Sequence, residues 1–405
     1  MMPVRVLLFS TLFPSSERPG HGIFVETRLR ELLAEFGSCV QAKVLAPVPW
    51  FYSTNPKHGD RAAMARSPAR EQRNGLDVLH PRYAVVPKVG MTLAPLALAA
   101  AALRAARRLR AEGFDFDIID AHYFYPDGVA AAIVARVLGK PLLITARGSD
   151  INLIAEHALP RRMMLWAARQ AAACIGVSQA LVNRMRELGM APGKLHMLRN
   201  GVDLQRFHPI PQAEARAAIG HQGQPLLLSV GNLVALKGHD LCIDALAELK
   251  ASHPGARLLI VGAGPLREQL ARHAQERGVA ESVHLVGPIP NTELARWYSA
   301  ADCLLLASSR EGWPNVLLEA MACGTPVIGT AVGGVPEIIA APEAGRLLAE
   351  RSSQALVAAL QTLLDQPPES AQVRRYAERF GWAETSACQQ RLFALLARGG
   401  SGQHA

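Results

Sequence analysis

An α/β protein of two doubly wound lobes is the fold class this sequence predicts, and three observations predict it. The chain has 405 residues, too many for one ordinary core. Short apolar runs such as 4–9, 226–230 and 303–306 alternate with segments of helical periodicity, the pattern of parallel sheets covered on both faces. The alternation runs through the chain twice, with the proline-rich stretch Phe207-His208-Pro209-Ile210-Pro211 as a hinge between the two series. The division is therefore drawn as lobes 1–206 and 207–382, followed by 383–405, a C-terminal helix able to cross to the first lobe, and a tail.

The first lobe opens with a strand over 4–10, a polar loop to Gly22, and a helix over 23–36 whose apolar positions are Phe24, Leu29, Leu32, Leu33 and Phe36. A second strand covers 39–46. The stretch 47–74, with Pro47, Pro49, Pro56 and Pro68 among Arg66, Arg70 and Arg73, reads as an irregular surface loop able to close over a substrate. A helix over 91–110 crowds Arg104, Arg107, Arg108 and Arg110 at its C-terminal end, where the helix dipole favours cations. Strands at 118–121, 142–145, 174–177 and 195–198 then alternate with helices. Their ends carry His122, Arg147-Gly148-Ser149-Asp150, the helix N-cap Ser178, and Arg199-Asn200-Gly201-Val202-Asp203. The second lobe places strands at 226–230, 258–261, 284–286, 303–306, 327–329 and 346–348, and the last helix covers 385–397.

Composition excludes several classes. Half the residues are hydrophobic and 19% are charged, which is globular and not disordered. Six cysteines show no paired spacing and no Cys/His cluster, which argues against a disulfide framework and structural zinc and implies a reducing cytoplasm. The run 4–9 is too short for a secretory signal, and no window is long enough to span a bilayer. The net charge of +9 implies either arginines on solvated faces or an anionic partner: nucleotide phosphates, a lipid-phosphate acceptor or an anionic membrane surface. Nucleic acid is disfavoured, since aromatics are 5% and no basic-aromatic platform is present.

The chemistry gathers at strand ends of the second lobe, where parallel sheets hold ligands. The stretch 308–324 follows a buried strand and starts a helix, with Pro314 in its first turn and Gly324 and Pro326 as stop signals. It carries Glu311 in the loop and Glu319 within the helix. Acceptor carboxylates beside the free N–H groups of a helix start suit a ligand with both hydroxyls and phosphates, such as a sugar nucleotide. The loop 230–239 adds Lys237, a point charge for a diphosphate. The loop 261–265, with Gly262 and Gly264, resembles half of a dinucleotide fingerprint, but Arg267 stands where the third glycine belongs, which disfavours a nicotinamide cofactor. A fourth glycine loop runs over 332–337. In the first lobe Gly20, Gly22, His122 and Arg147 are candidates for phosphate or hydroxyl contact, and Asn200-Gly201 reads as a turn.

Together these segments resemble the family-four retaining glycosyltransferases of the two-lobed GT-B fold, with two Rossmann-like lobes facing a central cleft. Phe9-Ser10-Thr11-Leu12-Phe13-Pro14, Gly22-Ile23-Phe24-Val25-Glu26 and Lys237-Gly238-His239 are most similar to the teichuronic acid biosynthesis type. The resemblance implies that Glu311 holds donor-sugar hydroxyls, Glu319 the ribose hydroxyls and Lys237 the diphosphate. It implies that Asn315, Val316 and Leu317 offer backbone N–H groups, that Gly22 approaches the β-phosphate and that His122 contacts the donor sugar near the reacting carbon. Gly264 and Asn232 fall in the donor-binding loops. Two positions depart from the family pattern: Asn232 replaces an arginine, and Arg147-Gly148 replaces a histidine-glycine pair.

The expected reaction is transfer of a sugar from a nucleotide diphosphate donor to a glycan or lipid-linked acceptor hydroxyl. The resemblance implies front-face retention, with no metal and no cofactor. A sugar-nucleotide epimerase and a catalytically idle sugar-nucleotide binder on the same architecture remain the alternatives.

Overall fold

The structure, a computed structural model, describes residues 3–85 and 90–401. The chain divides into two compact units. One takes the chain up to Asn200 and again from Trp382, and the other is Gly201–Gly381. Residues 201–206, assigned to the first lobe by sequence, belong to the second because its own groups bind them. The Val202 N–H donates to the Phe380 carbonyl at 2.9 Å, and Arg374 Nη2 donates to the Leu204 carbonyl at 3.2 Å.

The strands of the first unit are β1 (Val4–Phe9), β2 (Val40–Leu45), β3 (Val48–Pro49), β4 (Arg70–Arg73), β5 (Leu76–Leu79), β6 (Arg82–Tyr83), β7 (Ile118–His122), β8 (Leu142–Ala146), β9 (Ala173–Gly176) and β10 (Leu195–Met197). Eight of them form a sheet in the order β10-β9-β8-β7-β1-β2-β5-β4, parallel except for the β4–β5 pair, while β3 and β6 pair separately. The chain passes from β1 outward to β2 on one side and later to β7 on the other, so the topological switch lies between β1 and β7. One sheet face packs Val6, Ile118, Leu143 and Ile175 against Leu32 of the helix Ile23–Phe36 and Phe393 of the helix Trp382–Ser401. The last helix thus completes the first unit's core. Residues 402–405 of the expected tail lie outside the described residues.

The stretch 47–74, expected to be irregular, is mostly ordered. It contains β3, the turn Pro56–His58, the helix Asp60–Arg66 and β4. Polar side chains pin it: Arg82 binds the carbonyls of Met64, Ala65 and Ser67, and Arg66 Nε lies 2.6 Å from Glu17. The hairpin β4–β5 turns at Asn74-Gly75, both with positive φ (46° and 80°), the geometry of a tight primed turn. The Asn-Gly pair is the local sequence signal of this hairpin, set among prolines that favour irregular backbone.

The second unit contains β11 (Leu226–Val230), β12 (Arg257–Val261), β13 (Val283–Gly287), β14 (Cys303–Leu306), β15 (Val327–Thr330) and β16 (Gly345–Leu348). All are parallel, in the order β13-β12-β11-β14-β15-β16. The switch point lies between β11 and β14. Near-continuous apolar strands such as Leu226-Leu227-Leu228 and Leu304-Leu305-Leu306 are what a sheet buried on both faces requires.

Candidate active site

Because every strand of the second sheet runs the same way, the loops after β11, β12, β14 and β15 emerge at one edge. The loops after β11 and β14 flank the switch point itself. Backbone contacts join them: the Leu233 N–H donates to the Ala263 carbonyl at 2.9 Å, and the Ser309 N–H to the Leu236 carbonyl at 2.9 Å. Gly333 (φ 54°) lies so close to Glu311 that a Cβ there would sit 1.9 Å from the Glu311 carbonyl oxygen. The glycines of these loops therefore serve loop-to-loop packing first, and that packing sets where the charged side chains stand.

Lys237 and Glu311 meet across the switch point, with Lys237 Nζ donating to Glu311 Oε1 at 2.6 Å. The two side chains keep 20% and 10% of their accessible surface, so the pair is largely enclosed but reachable. The Lys237 stem lies over Gly231, with Cδ and Cε 3.4 Å from the position a Cβ would take. The adjacent His239 fixes the loop from beneath. Its ring contacts Ser229 Oγ at 3.0 Å and the Asn232 carbonyl at 3.3 Å, and burial lowers its pKa.

Glu319 lies in the helix Asn315–Ala322 and accepts a 2.7 Å hydrogen bond from the Tyr298 hydroxyl. Loss of hydration raises its pKa to about 7; the Tyr298 hydrogen bond and the Arg206 charge oppose the rise. Pro314 is the N-cap of this helix, one position before the expected first turn, and the Leu317 N–H already donates to the Pro314 carbonyl at 3.1 Å. That leaves Asn315 and Val316 at the head of the helix. Asn232 is exposed, Gly264 packs against the Leu233 backbone, and Arg310 is exposed. Tyr298 and Arg206 were not singled out in the sequence. Arg206 comes three residues after Asp203, the end of Asn200-Gly201-Val202-Asp203, but Tyr298 sits in a separate helix with no motif around it.

In the first unit Gly22 has a left-handed backbone (φ 63°) and heads the helix Ile23–Phe36. A Cβ there would come within 2.0 Å of the Leu12 carbonyl oxygen, so the turn requires glycine. His122 is buried at the end of β7, with both ring nitrogens engaged. Nε2 lies 3.2 Å from Asp120 Oδ2, and Nδ1 meets Arg147 Nη2. An arginine can only donate, so Nδ1 accepts and Nε2–H donates to Asp120, which is the neutral tautomer. Burial lowers His122 to about 4, reinforced by Arg147 and Arg28 and opposed by Asp120. Arg147 also donates to Asn200 Oδ1 at 3.0 Å and stacks on Phe24. In this structure its guanidinium is held in this network. Asn200, read as a turn residue, accepts from both Arg147 and the buried Arg28. Among the described residues, no group of three His, Cys, Asp or Glu side chains is arranged to hold a metal.

Residues 211–380 match the family described as glycosyl transferases group 1, and residues 61–206 match Glycosyltransferase Family 4. The chain is 30% identical to TuaC of Bacillus subtilis, named for teichuronic acid biosynthesis, over 88% of each chain. This chain is a group 1 glycosyltransferase. It is also 31% identical to D-inositol 3-phosphate glycosyltransferase 1 of Catenulispora acidiphila, over 73% of this chain and 76% of that one. The glycosyltransferase shares its fold with sucrose-phosphate synthase of Thermosynechococcus elongatus (TM-score 0.80, 22% identity, 98% and 100% of the chains). The fold is likewise that of Anabaena HepE in complex with UDP-glucose (TM-score 0.72, 19% identity, 96% and 99%). These neighbours have the GT-B fold, and the two parallel-sheet lobes of this glycosyltransferase are its two halves.

Proposed function

We propose that this glycosyltransferase moves a hexose from a nucleotide diphosphate sugar to an acceptor hydroxyl, with retention at the anomeric carbon and without a metal. The observation that carries this reading is the Lys237–Glu311 pair at the switch point of the second sheet, where open α/β sheets bind nucleotides. HepE, with the same fold, has been captured with UDP-glucose, which supports a nucleotide-sugar donor.

In this reading the donor exchanges the internal ion pair for its own groups. Lys237 turns to the diphosphate, where negative charge develops as the sugar–phosphate bond breaks. Glu311 is released to accept hydrogen bonds from sugar hydroxyls. Glu319, held by Tyr298, accepts from the ribose. Asn315 and Val316 supply the positive end of a helix. Gly262–Pro265 and Asn232 border the donor. The acceptor oxygen attacks from the face the leaving group vacates, and its proton passes to the departing phosphate oxygen. His122, enclosed and neutral, acts in this scheme by position and transfers no proton; Gly22 shapes the turn at the first sheet's switch point. The acceptor is a glycan or lipid-linked intermediate in cell-surface polysaccharide or glycolipid synthesis, and the enzyme works in the cytoplasm. The relatives named for teichuronic acid and inositol phosphate support an anionic or polyhydroxylated acceptor.

A thermal-shift screen of nucleotide sugars tests the donor, because a ligand selective for the native state raises its stability. The expected result is a shift with one or more nucleotide diphosphate sugars that Lys237→Ala abolishes. A wild-type protein whose melting responds to none of them overturns the reading. Incubation with donor alone, followed by NMR, separates slow hydrolysis from formation of an epimer.

A further inference from the structure

The helix Trp382–Ser401 carries a buried amide into the core of the first unit. Thr385, Gln389 and Phe393 follow at steps of four residues and so share one face, and all three are buried. Phe393 packs with Ile118 and Leu143 of the sheet, and Thr385 Oγ1 donates to the Arg199 carbonyl at 2.9 Å. Those two contacts fix the face between them, and Gln389 reaches the C-terminal half of β7.

There Gln389 closes a ring of hydrogen bonds. Arg28 Nε donates to Gln389 Oε1 at 2.7 Å, and Gln389 Nε2 donates to Asp120 Oδ2 at 3.1 Å. Asp120 Oδ2 also accepts from His122 Nε2, whose ring partner Nδ1 accepts from Arg147. Arg147 and Arg28 both donate to Asn200 Oδ1, at 3.0 and 3.3 Å, which completes the ring. No role in it can be reversed. Arginine only donates and an ionised carboxylate only accepts, so the amide oxygen must face Arg28 and the amide nitrogen Asp120. Asp120 is the least supported member. Its Oδ1 has no hydrogen-bond partner among the described residues, so the carboxylate is held through Oδ2, by Gln389 and His122. Without Gln389 the carboxylate is free to turn, and the imidazole with it.

We propose that Gln389 is a positioning residue for His122: from the helix that re-enters the first unit it holds the Asp120 carboxylate, and through it the imidazole at the end of β7. Arg28 acts one step further out, by holding the amide oxygen. This role rests on the place given to His122 in the transfer reading and names the side chains that keep it there.

Gln389→Glu tests it. The introduced carboxyl still accepts from Arg28; ionised it offers Asp120 no donor, and protonated it restores both bonds. It would face Arg28 from the helix Ile23–Phe36 and Asp120 from β7, with His122 and Arg147 beyond them. A second carboxyl beside Asp120 ionises late, so the two forms are separated by pH. The variant's kcat is expected near the wild type at pH 5.5 and about tenfold or more below it at pH 8.5, with KM for the donor changed less than about twofold. On a His122→Asn background the same substitution is expected to cost nothing further. A ratio to wild type that is flat in pH, or losses that add across this cycle, overturns the proposal. Imidazole ¹⁵N NMR reads the ring without turnover. Wild-type His122 is expected to be neutral at pH 7 with its proton on Nε2, and its signals to move in Gln389→Glu at pH 8.5 and not at pH 5.5. A proton on Nδ1 in the wild type, or signals that the substitution leaves in place, overturns the proposal even where transfer is intact. Full activity in His122→Asn overturns the transfer role of His122 instead, and the NMR result then decides the positioning by itself.

Discussion

The Tyr298 hydroxyl donates a 2.7 Å hydrogen bond to Glu319, joining a helix before β14 to the helix after it. The carboxyl nevertheless stays near 7, above its ordinary 4.5, because burial outweighs the hydrogen bond. The folded state therefore holds a proton that the unfolded state releases between these values. Glu319's contribution to stability is fully present below about 4.5 and is lost as pH rises through 7. Glu319→Gln, which mimics the protonated form, is expected to match the wild type in melting temperature at pH 5 and to exceed it at pH 8. An equal difference at both values would contradict this assignment.

The Lys237–Glu311 pair separates structure from chemistry. Removing either partner leaves a largely enclosed charge uncompensated and is expected to destabilise the second unit. Lys237→Met combined with Glu311→Gln removes both charges and is expected to recover much of that stability. Transfer activity is expected to stay down by about a hundredfold or more, since the developing phosphate charge then lacks its cation. Recovery of activity together with stability would show that the pair is only structural.

Gly333→Ala probes how Glu311 is aimed. The backbone at φ 54° disfavours any side chain, and the added Cβ would press on the Glu311 carbonyl at 1.9 Å. The expected cost is about 1–3 kcal/mol of stability. Because the displaced atom belongs to Glu311, donor-sugar affinity is expected to fall more than affinity for the free nucleotide diphosphate. Calorimetry with both ligands measures the ratio, and equal losses would argue against Glu311 as the sugar-binding carboxylate.

His122 behaves in the opposite sense to Glu319. Its pKa drops from 6.5 to about 4, so the folded state resists a proton that the unfolded state takes up. Its contribution to stability is present above 6.5 and is lost as pH falls toward 4. The stability gap between wild type and His122→Asn is expected to narrow on acidification through this window. A gap that widens would mean the imidazole is charged in the folded protein.

Much of the fold was legible because hydrophobic periodicity is a local property. The helix 23–36 and the strands 226–230 and 303–306 agree with the structure residue for residue. The stretch 47–74 was less legible, since its order comes from Arg82 and Glu17, partners distant in sequence. The unit boundary shifted for the same reason: Phe380 and Arg374 decide where residues 201–206 belong.

Within the candidate site, sequence alone determined the chemical inventory: an ammonium at 237, carboxylates at 311 and 319, and glycines where loops must approach closely. It could not determine pairings between residues far apart in the chain. That Lys237 faces Glu311, that a tyrosine from another helix holds Glu319, and that Arg147 and Asp120 occupy both nitrogens of His122 follow from the tertiary structure alone. Strand order and loop packing set those distances, and a carboxylate or imidazole takes its protonation state from what surrounds it, not from its neighbours in the chain.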